Sequence, residues 1–147
     1  MSKLPLVDPA TAPPKVREVL ERLPVKLNIF RMMAHAETNV RPLLRLGSSI
    51  LAEQKLNARL RELAILRVAK MTPAEYEWVQ HVPIAKMVGA TDEEVGAIDR
   101  GEIEAECLDG DAQLVLRFTT EVVRDAKAAD TTFEAMKARF SSQEMSS

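Results

Sequence analysis

The sequence predicts an all-α fold, and three observations support that prediction. Aromatic residues make up only 4% of the chain, and the abundance of Ala, Leu, Glu, Arg, Lys and Met favours helix over strand. No stretch alternates apolar and polar residues cleanly over six or more positions, as a half-buried strand would. Turn signals instead separate segments in which apolar residues recur with a helical period. We therefore expect a bundle of about six or seven helices.

The first third of the chain is expected to hold an extended arm and three helices. Pro5, Pro9, Pro13 and Pro14 keep residues 1–12 extended. The predicted helices run from about Pro14 to Leu23, over residues 27–35, and from a Thr38 cap to about Glu53. We expect residues 13–147 to form a single domain behind the arm.

The remainder of the chain carries the clearest helix start and stop signals. The predicted helices run from an Asn57 cap to Met71, from Thr72-Pro73-Ala74-Glu75 to Val88 before Gly89, from a Thr91 capping box to Gly101, over 111–127 and over 132–140. An acidic linker over 102–110 separates the third and fourth of these helices, and a polar tail follows residue 140.

Charge and cysteine content exclude several classes of protein. The formal net charge is −2 and the isoelectric point is about 5.8, so the chain lacks the basic surface that binds nucleic acid. The single cysteine, Cys107, rules out an intramolecular disulfide and a Cys-x-x-Cys centre. No apolar run is long enough to span a membrane, and the N-terminus lacks the apolar region of a secretory signal. We expect a cytoplasmic protein with no membrane partner.

A carboxylate interrupts the most apolar helix. The segment ARLRELAILRVAKM, residues 58–71, is apolar on most sides and should be a buried central helix. Glu62 lies between Ala58, Ile65 and Leu66 on its surface. Burial of a carboxylate is costly unless the group is paired or protonated. Two interpretations of Glu62 remain open. It forms a structural ion pair with Arg59 or another arginine, or it is a functional acid.

The next helix repeats this anomaly. Ala74, Glu77, His81, Ile84 and Val88 fall on one stripe at helical spacing, which we predict to face inward. The carboxylate at position 77 lies one turn before the imidazole at position 81, and can orient and charge it. A buried histidine can also be purely structural, but two inward carboxylates beside it favour acid–base chemistry. Together, Glu62, Glu77 and His81 form the candidate catalytic set.

Other candidate site residues rest on weaker signals. Arg59, Arg61 and Arg67 could bind an anionic substrate, and Arg31 lies in a largely apolar helix; of these, Arg31 and Arg59 are our substrate-binding candidates. Tyr76 and Trp78 flank Glu77 and could line the site or pack across an interface. Cys107 lies in an acidic stretch that should make it a poor nucleophile. No motif points to a metal site.

The string RELAILRVAKMTPAEYEWVQHVPIAKMVGATDEEV resembles the carboxymuconolactone decarboxylase family, which shares the alkylhydroperoxidase D fold. The peroxidase branch carries Glu, eleven residues, Cys, two residues, Cys, three residues, His. On this chain the Glu is Glu62, the His is His81, and the cysteine positions hold Ala74 and Glu77. The upstream LNIFRMMAH also resembles the family, so the similarity spans roughly Leu23 to Asp99.

The resemblance implies an alkylhydroperoxidase D-like bundle and a homo-oligomer, as a trimer or hexamer. Members of this Glu-Tyr-Glu-Trp-x-x-His type generally run longer, so the C-terminal helix is expected to be short or missing. Without cysteines at positions 74 and 77, the disulfide cycle of the peroxidases is chemically unavailable. The acid–base half of the motif remains, as Glu62 and His81 joined by Glu77.

Three functions follow from these observations. The first is a lyase or isomerase without cofactor, which acts on a small carboxylated, lactone-type substrate. His81 would be its general acid and base, and Arg31 or Arg59 would neutralise a substrate carboxylate. The second is a non-catalytic oligomeric binding or scaffold protein, in which Glu62, Glu77 and His81 form a buried polar network. The third is a thiol peroxidase, which the missing cysteines disfavour.

Overall fold

The computed structural model describes residues 3–146, and over these residues it contains helices and no strand. This confirms the all-α prediction. The helices are α1 Pro14–Arg22, α2 Asn28–Met33, α3 Val40–Ala52, α4 Ala58–Met71, α5 Glu75–Met87, α6 Asp92–Arg100, α7 Gly110–Asp125, α8 Asp130–Arg139 and α9 Ser142–Met145. The described helices exceed the expected six or seven. The short α2, with 6 residues, lies within the predicted segment 27–35, whereas α9, with 4 residues, lies in the tail, where no helix was predicted. Among the described residues, no helix is both long and apolar enough to cross a membrane.

The described chain divides into two compact units, which meet in sequence between Gln54 and Lys55. The first unit contains α1–α3 and has its own small core around Val16, Leu20 and Val40. The division falls inside residues 13–147, so the single domain over that range stays a prediction. Within the predicted arm, residues 3–12 form no helix, and its first two residues lie outside the described part of the chain.

The second unit is built around α4. This helix packs against α5, α6 and α7, and its buried apolar residues are Leu60, Leu63, Leu66 and Ala69. The Asn57 side chain caps its N-terminus by accepting hydrogen bonds from the Arg59 and Leu60 N–H groups, at 3.0 and 3.4 Å. Three neighbouring helices therefore cover α4, as its apolar character predicted.

The turn between α4 and α5 differs from the prediction. Thr72 was expected to cap α5, but its hydroxyl donates to the Val68 carbonyl at 2.8 Å and closes α4. The Ala74 N–H donates to the Ala69 carbonyl at 2.8 Å, and α5 begins only at Glu75. The carbonyls at the end of α4 need hydrogen-bond donors. The Thr72 hydroxyl and the Ala74 N–H fill this role, and α5 therefore begins after them.

The buried stripe of α5 is displaced by one residue from the prediction. Ala85 is its fully buried residue, and Trp78 and Val82 pack against the core of the second unit. These three positions share one face at helical spacing. Burial of the large Trp78 side chain removes more apolar surface from water than burial of Glu77 would. Glu77 and His81 consequently lie at the edge of the stripe.

Helix ends elsewhere follow the expected capping chemistry with small shifts. Thr91 and Glu94 form the predicted capping box of α6, and Gly101 ends that helix in the left-handed conformation. Asn39 rather than Thr38 precedes α3, and Asp109 caps α7 by accepting from the Ala112 N–H at 2.8 Å. The polar tail after residue 140 forms α9, because a second capping box starts it. Its last residue, 147, lies outside the described residues.

The two capping boxes provide a matched test of the second unit. We expect Thr91→Ala to lower the free energy of unfolding by about 1 kcal/mol, since the Glu94 N–H loses its acceptor at the start of a packed helix. Ser141→Ala removes the same interaction from a four-residue helix at the end of the described chain and should cost clearly less. Urea unfolding followed by circular dichroism measures both values. Equal losses in the two variants would contradict this assignment.

Candidate functional site

Glu62 is the buried centre of the site. It lies in the second turn of α4, and its side chain is 0% exposed, as its place in the apolar stripe predicted. The helix fixes it there because Leu63 and Leu66, on the same helix, are also fully buried and cannot turn outward without exposing apolar surface. A carboxylate at such a position requires polar partners.

His81 supplies the main partner. It lies in the middle of α5, and its Nδ1 is 2.7 Å from Glu62 Oε2. Its side chain is 14% exposed, so the imidazole reaches from the buried carboxylate towards the surface. When the Glu62 carboxylate is ionised it can only accept a hydrogen bond, and in that state Nδ1 carries the hydrogen and Nε2 is left available. This arrangement can hold a proton at Nε2 or accept one there.

Glu77 lies on the other side of the imidazole. Its Oε2 is 3.6 Å from His81 Nε2, and its side chain is 42% exposed. At that distance the carboxylate can stabilise a charged imidazole, but it makes no direct hydrogen bond with Nε2. The structure therefore brings Glu62, Glu77 and His81 together. Of the three, Glu77 faces solvent more than its place in the predicted stripe implied.

Arg61 lies beside Glu62. From the sequence we expected Arg31 and Arg59, and not Arg61, to bind substrate. Its Nε is 3.6 Å from Glu62 Oε1, and its side chain is only 12% exposed. Both of these atoms are fully buried, and neither has a hydrogen-bond partner among the described residues. One sequence signal could have pointed to Arg61. It is the direct neighbour of the carboxylate in the most apolar helix of the chain.

Arg59 is engaged in a separate ion-pair cluster. Its guanidinium donates to both oxygens of the buried Glu94, at 2.5 and 3.3 Å, and to Asp109 Oδ2 at 2.9 Å. The Glu94 hydrogen bond raises the pKa of Arg59. The pKa of Asp109 is lowered, first by the Ala112 N–H and then by Arg59. These bonds join the N-terminal ends of α4, α6 and α7, and they occupy the arginine that we expected to bind substrate.

Arg31 belongs to the first unit. Its Nε donates to the Val7 carbonyl at 2.8 Å, which attaches the N-terminal arm to α2. It also lines a cleft of about 350 Å³ together with Lys26, Phe30 and other residues of that unit. The Lys26 ammonium donates to the Leu20 and Glu21 carbonyls, both at 2.8 Å, at the end of α1.

The two aromatic candidates differ in their environment. Trp78 packs against the core of the second unit, and the Lys70 ammonium lies 4.8 Å from its ring centroid. Tyr76 is exposed on the first turn of α5. Cys107 is also exposed, in the segment between α6 and α7. Within residues 3–146, no group of three or more His, Cys, Asp or Glu side chains is arranged to hold a metal ion.

Comparison with known proteins agrees with the motif. Residues 39–109 match the sequence model of the carboxymuconolactone decarboxylase family. The matched segment includes Glu62, Glu77 and His81, and it begins and ends later than the range that resembled the family in the sequence. A search of curated proteins finds no match, and a search of solved structures also finds none.

The Arg59 cluster predicts a large effect of one arginine on stability. We expect Arg59→Ala to lower the free energy of unfolding by about 3–5 kcal/mol, because it leaves the buried Glu94 carboxylate without its charged partner. Arg117→Ala is the matched control, since its ion pair with Glu104 is exposed, and its loss should cost at most about 1 kcal/mol. Denaturant unfolding measures the two differences. A small loss for Arg59→Ala would show that the cluster is not a buried support of the fold.

Proposed function

Because residues 39–109 belong to the carboxymuconolactone decarboxylase family, we propose that the chain is an acid–base lyase or isomerase of this type. Its substrate would be a small carboxylated, lactone-type molecule. The reaction that we propose needs no metal or organic cofactor, since a positioned proton donor and acceptor suffices. We place the protein in the cytoplasm as part of this proposal.

One observation carries the proposal, the pairing of His81 with Glu62. The carboxylate holds Nδ1 at 2.7 Å and thereby fixes both the ring orientation and the tautomer. Because Glu62 is 0% exposed, this pair acts with little competition from water. His81 Nε2 then points away from Glu62, with the half-exposed Glu77 carboxylate 3.6 Å from it. A general acid and base needs this combination of a fixed ring and one free nitrogen.

The same geometry fits a decarboxylation in which atoms and electrons balance. The bond between the substrate carbon and its carboxylate breaks, carbon dioxide leaves, and the electron pair stays on a carbon conjugated to the remaining carbonyl. His81 in its charged form donates the Nε2 proton to a carbon of this dienolate and becomes neutral. Glu62 stabilises the charged imidazole before the transfer, the product leaves with the proton, and the neutral imidazole takes up a proton from water at Nε2 before the next turnover. An isomerisation uses the same nitrogen first as base and then as acid.

The alternative is a non-catalytic oligomeric binding or scaffold protein. The chain already uses one buried carboxylate, Glu94, as a structural clamp, and Glu62 and His81 could act likewise. Large apolar side chains are exposed on α3, among them Leu46 at 56%, and on α7 at Val122 and Val123. We propose that a homo-oligomer, as a trimer or hexamer, covers such surfaces, whether or not the protein is an enzyme.

Peroxidase activity is the third reading and has the least support. The two positions of the peroxidase cysteines hold Ala74 and Glu77, and Cys107 lies outside the motif. A cycle that forms a disulfide within the chain needs two thiols, and the sequence has one. Peroxide turnover that persists in Cys107→Ser and depends on His81 would show that this reading was wrongly set aside.

The two histidines of the chain provide a direct test of the acid–base role. We expect His81→Ala to lower kcat/KM for carboxymuconolactone or a related lactone acid by about 10²–10⁴-fold, the usual contribution of a general acid or base. His35→Ala is the matched control, since His35 bonds to the Pro5 carbonyl in the first unit and should not alter turnover. Carbon dioxide release or the loss of lactone absorbance measures the rate.

Each outcome separates the readings. Undiminished turnover in folded His81→Ala removes His81 from the mechanism and overturns the proposal. Absence of turnover in the unmodified protein, together with a loss of stability in His81→Ala, supports the scaffold instead. Glu62→Gln, which keeps the shape but not the charge, should reduce turnover more than Glu77→Gln, because only Glu62 bonds directly to the imidazole.

A further inference from the structure

One pair of atoms in the site lacks the partners that its burial requires. Arg61 Nε is a hydrogen-bond donor, Glu62 Oε1 is an acceptor, and the two lie 3.6 Å apart. Both atoms are fully buried and have no hydrogen-bond partner among the described residues. A buried polar group without a partner is destabilising and is uncommon in folded proteins. This pair therefore calls for a group that supplies both missing bonds.

The neighbouring arginines of α4 show that the chain can satisfy such groups internally. Arg59 bonds to Glu94 and Asp109, and Arg67 Nε donates to the Thr120 hydroxyl at 2.9 Å. Arg61 differs from both, because its Nε has only the neighbouring carboxylate oxygen nearby, at a distance too long for a hydrogen bond. The two missing bonds are thus one at Arg61 Nε and one at Glu62 Oε1, the oxygen that His81 does not use.

The donor and the acceptor together define the chemistry of the missing group. An oxygen that accepts from Nε and donates to Oε1 completes both bonds, and a hydroxyl, an enol or a water molecule does this. A carboxylate or a carbonyl could accept from Arg61, but it has no hydrogen to give to Glu62. The ammonium of an amine could donate to Glu62, but it would repel the guanidinium. Among the functional groups of a small organic acid, a hydroxyl or an enol is therefore the best match, and it takes the place of a water molecule.

We propose that Arg61 Nε and Glu62 Oε1 together bind one hydroxyl or enol oxygen of the substrate. This inference rests on the proposed function, which identifies the site. It narrows the expected substrate to a small acid that carries a hydroxyl group. Glu62 then has two tasks, one at each oxygen. Oε2 orients His81, and Oε1 binds the substrate hydroxyl close to the imidazole. Both atoms are fully buried, so the ligand reaches them when the 12% exposed Arg61 side chain moves aside.

The test compares acids that differ by one hydroxyl. The probes are three pairs of acids: malate and succinate, mandelate and phenylacetate, and salicylate and benzoate. Their dissociation constants are measured by calorimetry or by the shift of the NMR signals of the His81 ring. We expect at least one hydroxy acid to bind about tenfold or more tightly than its partner, since the deoxy acid leaves the buried pair unsatisfied. If no pair shows this preference, the inference is overturned.

Three arginine variants test whether Arg61 is the cause of the preference for hydroxy acids. Arg61→Met should abolish it, and Arg61→Lys should abolish it while keeping affinity for acids, because Lys retains the charge but not an N–H at the Nε position. Arg67→Met is the matched control, because Arg67 Nε has its own partner in Thr120, and it should keep the preference. Circular dichroism confirms folding, and the lysine variant alone suffices if Arg61→Met does not fold. A preference that survives in Arg61→Lys overturns the inference.

The remaining outcomes distinguish this inference from the proposed function. If the protein turns over lactone acids without any hydroxyl preference, the inference fails and the proposed function stands. If His81→Ala keeps the preference but no lactone acid is turned over by the unmodified protein, the binding site stands and the proposed function fails. If Arg61→Met changes the mass of the assembly in light scattering and not the ligand preference, a second copy of the chain satisfies the pair, and the inference is overturned.

Discussion

The site of the second unit depends on one constraint, the burial of the Glu62 carboxylate inside the most apolar helix of the chain. Burial of a charge is tolerated only where polar partners are held firmly in place. The partner that meets this requirement is His81, at 2.7 Å, and it lies on the helix that packs along α4. The packing of α4 against α5 therefore fixes the imidazole as well as the core. The residues around Glu62, among them Leu63 and Leu66, keep the carboxylate from turning outward.

The sequence could predict the parts of this arrangement that follow from helical period. Glu62 interrupts an apolar stripe, and the spacing from Glu62 to His81 places them on consecutive helices joined by a short turn. The helical period could not decide which of two adjacent faces of α5 is buried, because Glu77, Trp78 and His81 are neighbours on that helix. The buried face is the one on which the Trp78 indole packs against the core of the second unit. The start of α5 was missed for a related reason, since Thr72 completes α4 and does not cap α5.

The roles of the arginines were beyond the reach of sequence reasoning. Arg59 and Arg61 are two residues apart on α4, so they point to different sides of the helix, and the partners on each side come from distant segments. Glu94 and Asp109 follow Arg59 by 35 and 50 residues, and nothing in the local pattern pairs them. Only the packed structure shows that Arg59 is occupied and that the buried Nε of Arg61 is not.

The two buried carboxylates of this unit bear on the choice between enzyme and scaffold. Glu94 has every bond that a structural role requires, since Arg59 donates to both of its oxygens and the Thr91 N–H donates to Oε2. Glu62 has a hydrogen-bond partner at one oxygen only, and its other oxygen lies 3.6 Å from Arg61 Nε, close enough for an ion pair but not for a hydrogen bond. A network that served packing alone would gain stability by closing that gap, as the Glu94 cluster does. An incomplete pair next to an oriented imidazole is expected where the final partner is a substrate, and this contrast favours the enzyme.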